Sequence, residues 1–194
     1  MPLVIGLIPH AGKEFAGDLR KQVFQTLKED QYRNLKAIDT FICYLAPVHQ
    51  WVDPPSLYLD IPRHSFVKKP SWAYIASKHP TVTNEHSFRW VRPELEEAFP
   101  NLPILVCYCA FPSSHTKLMK QTRTWLLDLI SQHNVILIGT SDLIHYGPEY
   151  RVTNLPFPPQ LSKMRREAPL IEALKYADVS PSSLGAGIGV ESKF

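Results

Sequence analysis

The stretch Leu3-Val4-Ile5-Gly6-Leu7-Ile8-Pro9-His10-Ala11-Gly12 decides how the rest of the chain is read. Its first six residues are an apolar run of strand length, and a helix-like pattern begins soon after Gly12. A buried strand that turns into a helix is the repeating unit of α/β layered domains. The turn carries a histidine between a proline and an Ala-Gly pair. At the rigid end of a strand, such a histidine suits a metal ligand or an acid/base group. Taken alone, His10 reads more readily as an ordinary loop histidine than as a ligand.

Outward from this stretch the alternation repeats. Phe15–Lys28 places Phe15, Leu19, Val23, Phe24 and Leu27 at helical spacing. Thr40–Leu45, Ile104–Ala110 and Val135–Gly139 are further apolar strands. Ser87–Phe99 reads as a helix interrupted near Pro93, with the proline and following acids suited to a first turn. His115–Gln132 forms one apolar face from Leu118, Met119, Trp125, Leu126, Leu129 and Ile130, capped by Ser113 or Ser114. Leu161–Ala177 reads as a last helix, and 180–194 as a frayed tail rich in serine and glycine. The pattern predicts one α/β domain over 1–194, an α/β/α layering with a mainly parallel central sheet.

Residues 46–84 interrupt the rhythm. Pro47, Pro54, Pro55, Pro62, Pro70 and Pro80 exclude long helices, while Trp51, Tyr58, Phe66, Trp72 and Tyr74 argue against a disordered linker. The region reads as a packed excursion with short strands near Ser56–Ile61 and Phe66–Val67.

Bulk properties narrow the function classes. Hydrophobic residues make up 44% and charged residues 20%, as in ordinary globular proteins. The formal charge of +3 comes from scattered basic residues, which argues against a nucleic-acid partner. No apolar run approaches the roughly 20 residues of a membrane span. With no secretory leader, and with Cys43, Cys107 and Cys109 inside apolar runs, the expectation is a cytoplasmic protein with buried, reduced thiols. Gly185-Ala186-Gly187-Ile188-Gly189 has neither a preceding strand nor room for a following helix, so nucleotide binding is not expected.

Three later stretches look built to meet His10: Ala46-Pro47-Val48-His49, Asn84-Glu85-His86-Ser87 and Thr140-Ser141-Asp142-Leu143-Ile144-His145-Tyr146-Gly147. His10, His49 and the Asp142/His145 pair each follow a predicted strand. In a parallel sheet, strand carboxyl ends share one edge, where ligands usually bind. His10 and His49 could supply nitrogen to Fe(II), Zn(II) or Cu(II), and Asp142 or Glu85 oxygen, either directly or by orienting a histidine. His145 could act as general acid/base. The competing reading of Glu85-His86-Ser87 is a helix start capped by Asn84 or Ser87. His64, His79, His115 and His133 read as surface residues.

Together, Pro9-His10-Ala11-Gly12, Ala46-Pro47-Val48-His49, Glu85-His86-Ser87 and Ser141-Asp142-Leu143-Ile144-His145-Tyr146-Gly147 resemble the Memo family in content and order. That family shares its fold with class III extradiol ring-cleavage dioxygenases. The resemblance implies an α/β sandwich with a metal-capable pocket. It implies metal ligation by His10 and His49, a pocket lined by Asp142 and His145 with His145 as acid/base, and Glu85, His86 and Tyr146 around them. The family's late cysteine ligand is not matched, since Leu184 aligns there, and Glu191 is a weak substitute. The chain also starts almost at the first pocket motif.

Two functions follow as expectations. One is a non-haem iron- or copper-dependent oxidoreductase acting on a small molecule. The other is a catalytically inactive binding module for a peptide or phosphorylated, anionic ligand in signalling or motility, with Arg89, Arg92 and Arg151 available to meet an anion.

Overall fold

The structure, a computed structural model, describes residues 3–10, 13–31, 40–63, 66–112 and 114–140. Asp142, His145, Tyr146, Arg151, the helix expected at 161–177, the glycine run and the tail at 180–194 lie outside the described residues.

Six strands form one sheet: β1 (Leu3–Ile8), β2 (Thr40–Pro47), β3 (Ser56–Asp60), β4 (Tyr74–Ile75), β5 (Ile104–Ala110) and β6 (Asn134–Thr140). Their order is β1-β6-β2-β5-β3-β4. β1, β6, β2 and β5 run parallel. The sheet is mainly parallel, as expected, with β3 the exception: it pairs antiparallel with β5, while β4 pairs parallel with β3. The excursion thus returns one strand to the sheet against the main direction. Phe66–Val67 forms no strand, and Tyr74–Ile75 forms one instead.

The helices are α1 (Lys13–Thr26, continued by a π-helical turn at Leu27–Gln31), α2 (Pro80–Thr83), α3 (His86–Arg89), α4 (Arg92–Ala98) and α5 (Thr116–Gln132). Strand alternation divides the core in two. Ile42, Tyr44, Ala46, Val106, Tyr108, Ile136 and Ile138 face one way, against Phe24 and Leu27 of the first helical segment and Phe88, Val91 and Leu95 near α3 and α4. Phe41, Cys43, Leu45, Leu105, Cys107, Cys109, Val135 and Leu137 face the other way, against Leu118, Leu126 and Leu129 of α5. The sheet is therefore covered on both faces, as its near-continuous apolar strands require.

Two local expectations are corrected. The buried stripe of α1 runs through Ala16, Arg20 and Phe24, whereas Leu19 is exposed. α1 packs close to the sheet at Gly6, where a Cβ would lie 3.1 Å from Leu27 Cδ1. The N-cap of α5 is His115, which makes no side-chain cap hydrogen bond, rather than either serine. The three cysteines are buried and free, with Cys43 and Cys107 Sγ 3.7 Å apart.

Candidate metal centre

The strand order explains why distant histidines meet. β6 inserts between β1 and β2, so three carboxyl ends lie side by side. Ile8 is in register with Thr140, and Leu45 with Gly139. His10 follows β1 by two residues, and its Nδ1 lies 3.0 Å from the Thr140 hydroxyl at the end of β6. His49 follows β2 by two residues.

His86 arrives from the helical side. α3 is tied to the end of β2 by two hydrogen bonds: Tyr44 Oη donates to the Ser87 carbonyl at 2.6 Å, and Ser87 Oγ donates to the Pro47 carbonyl at 2.8 Å. These fix the first turn of α3 beside the loop that holds His49. Glu85, not Asn84 or Ser87, is the N-cap of α3, its side chain accepting from the Ser87 backbone N–H.

The result is a cluster of three imidazoles. His10 and His49 have ring centroids 5.0 Å apart, His10 and His86 5.6 Å, and His49 and His86 4.2 Å. One nitrogen from each lies within 4.8 Å of the others, so the three together are capable of holding a metal ion. His10 is fully buried, while His49 and His86 are partly exposed. Bonds of about 2.0–2.1 Å to one ion require closer nitrogens than this, so the three rings would draw together on binding it.

Behind the rings sits the buried carboxylate of Glu85. Its Oε1 lies 2.9 Å from Nδ1 of His49 and 2.9 Å from Nδ1 of His86. Its Oε2 accepts the His49 backbone N–H at 2.9 Å. Burial alone would push this carboxyl up. The hydrogen bonds from His49 and His86 outweigh that cost and hold it well below the usual carboxylate range. An ionised Glu85 can only accept, so both Nδ1 atoms carry protons and Nε2 is the nitrogen left available on each ring. One carboxylate thereby selects the tautomer of two histidines, as carboxylates behind metal-binding histidines commonly do.

Of the residues singled out from sequence, His10, His49, Glu85 and His86 come together. Arg92 is engaged by Glu96 at 2.7 Å on its own helix. His79 packs edge-on against Tyr58, and His133 against Phe41, so neither is a simple surface residue. Thr140 opens the stretch expected to meet His10 and does so through its hydroxyl, a role the sequence does not assign to it. Arg20 and Glu94 are buried behind Pro9, which a helix phase through Leu19 does not predict. The α1 sequence does carry a signal, since Arg20 lies midway between Ala16 and Phe24 at intervals of four.

Comparison with family models, curated proteins and solved structures finds no match to this chain. No helix among the described residues is long and apolar enough to cross a membrane.

Proposed function

We propose that this chain is a Memo-like protein whose His10, His49 and His86 hold a single iron or copper ion, and that it acts as an oxidoreductase on a small molecule. The observation that supports this most is the pairing of three converging imidazoles with Glu85 behind two of them. Neutral imidazoles suit iron, copper, zinc and nickel, and a three-histidine set leaves coordination positions open. A bound iron or copper ion would supply Lewis acidity and redox chemistry at that opening. His86 takes the place of the third ligand that the family's late cysteine provides. The resemblance assigns proton transfer to His145, with Asp142 beside it and Tyr146 lining the pocket.

A second reading keeps the pocket and drops the chemistry. Trp90 is half-exposed and packs on His86 with ring centroids 4.7 Å apart, a wall suited to contact with a ligand. On this reading the site recognises a peptide or anionic group.

Metal titration of the purified protein under reducing conditions separates the two. One Fe(II) or Cu ion per chain, lost when His10 and His49 are both replaced by alanine, is expected. Oxygen uptake with a catechol then tests chemistry. Binding that is sub-stoichiometric and unchanged in the double variant would remove the metal reading.

A further inference from the structure

We propose that Arg20 is a positioning residue for the histidine cluster, setting through Glu94 and Pro9 the separation of His10 from His86. The inference rests on the metal-centre reading given above and adds to it the groups that hold the cluster in shape.

Arg20 is fully buried. Its Nε donates to Glu94 Oε2 and its Nη2 to Glu94 Oε1, both at 2.7 Å. Its Nη1 donates to the Pro9 carbonyl at 3.2 Å. Proline has no backbone N–H, so the carbonyl is the one backbone group through which Pro9 can be hydrogen-bonded. That carbonyl belongs to the peptide that links Pro9 to His10. Fixing its plane fixes the direction in which His10 leaves the strand.

The other end of the pair reaches His86. Glu94 lies in α4, which begins three residues after α3 ends. Val91 and Leu95 of this segment are buried in the same core as Phe88 of α3. Displacing Glu94 therefore displaces the base from which His86 projects. A single guanidinium–carboxylate pair joins the segment carrying His10 to the segment carrying His86.

Stability is a poor reason for such a pair. Desolvating two charges offsets much of their attraction, and well-packed apolar side chains of similar size often replace buried ion pairs without loss. The planar fork of arginine does something no apolar side chain can do, since it binds a carboxylate with two donors and a carbonyl with a third. Lysine keeps the charge but lacks that fork.

The test compares full-length wild type with Arg20→Lys, Arg20→Met and Glu94→Gln, using Glu97→Gln as a surface control. Co(II) affinity is titrated well below each protein's thermal midpoint, and imidazole nitrogen resonances are recorded without metal. Each core variant that remains folded is expected to bind Co(II) about 10- to 100-fold more weakly. Arg20→Lys should lose nearly as much as Arg20→Met, and the His10 and His86 resonances should move while His115 stays put. A purely structural role would lower the midpoint and leave affinity and resonances unchanged in the folded variants, which would overturn the proposal. If wild type binds none of Co(II), Fe(II) and Cu(II), the metal reading fails by itself. The resonances then decide: shifts of His10 and His86 uphold the positioning role, and their absence refutes it. Should Arg20→Met fail to fold, Arg20→Lys and Glu94→Gln carry the same comparison.

Discussion

Glu85 holds His49 at two points: Oε1 takes the ring Nδ1 and Oε2 takes the backbone N–H, each at 2.9 Å. A ring bound at both its side chain and its own backbone has little freedom left. The same Oε1 also meets His86. Glu85→Gln keeps the shape but offers one acceptor oxygen and an N–H₂ group in place of two acceptors. We expect metal affinity to fall about 10- to 100-fold. Stability should fall by about 1–3 kcal/mol, because buried donors lose their partner. Calorimetric titration with Zn(II) or Co(II) and a denaturant melt check both. Unchanged affinity would show that the carboxylate does not set the tautomers.

His86 is expected to be a ligand of the same rank as His10 and His49. His10→Ala, His49→Ala and His86→Ala should each abolish one-to-one binding at micromolar metal, while His115→Ala leaves it intact. If His86→Ala binds as wild type does, the third donor must come from elsewhere in the chain and the cluster is a two-histidine site.

Much of the architecture was legible because strand burial is written in apolar runs. Ile104–Ala110 reads as a strand in sequence and is β5 at the same bounds. The antiparallel entry of β3 was not legible, since alternation along Ser56–Asp60 says nothing about direction. Direction is set by how the proline-rich excursion turns back, which is a matter of tertiary packing. The phase of α1 is hard to read for a similar reason. Leu19 is the more hydrophobic residue, yet Arg20 is the buried one, because Glu94 and the Pro9 carbonyl satisfy its donors.

The site was legible in its residues but not in its roles. Strand ends announced His10 and His49. His86 read as part of a helix start, and nothing local shows that Tyr44 and Ser87 pin that helix to the end of β2. Thr140 stands at the head of the stretch expected to meet His10, yet its contact is not legible, because a threonine that ends a strand is commonplace. Its function follows from register: opposite Ile8, it reaches the Nδ1 of His10. Thr140→Val keeps the shape and removes the hydroxyl. We expect a loss of about 1 kcal/mol in stability and a drop of about tenfold or more in metal affinity. Thr140→Ser should retain both. Equal affinities for valine and serine would dismiss the contact.

On the opposite face of the sheet, Cys43, Cys107 and Cys109 lie in the dry core against α5. Burial pushes the Cys109 thiol up from an ordinary 9.0 to about 12, and Cys107 also rises well above its ordinary value. In the folded chain these thiols keep their protons across that interval, whereas the unfolded chain releases them near 9. The unfolded state then binds fewer protons, so stability falls as pH rises. The loss should begin near pH 9 and continue towards pH 12, at about 1.4 kcal/mol per pH unit for each thiol affected. Below pH 9 these groups contribute no slope. Tyr108, raised by burial and by nearby Asp60, adds to the same trend above pH 10. Denaturant melts from pH 7 to 11 measure the slope. Thiol labelling measures access, since the thiolate is the reactive form. In the native protein at pH 8, all three cysteines should label only as fast as the chain opens. Rapid stoichiometric labelling, or a flat stability profile above pH 9, would contradict the dry placement of these thiols.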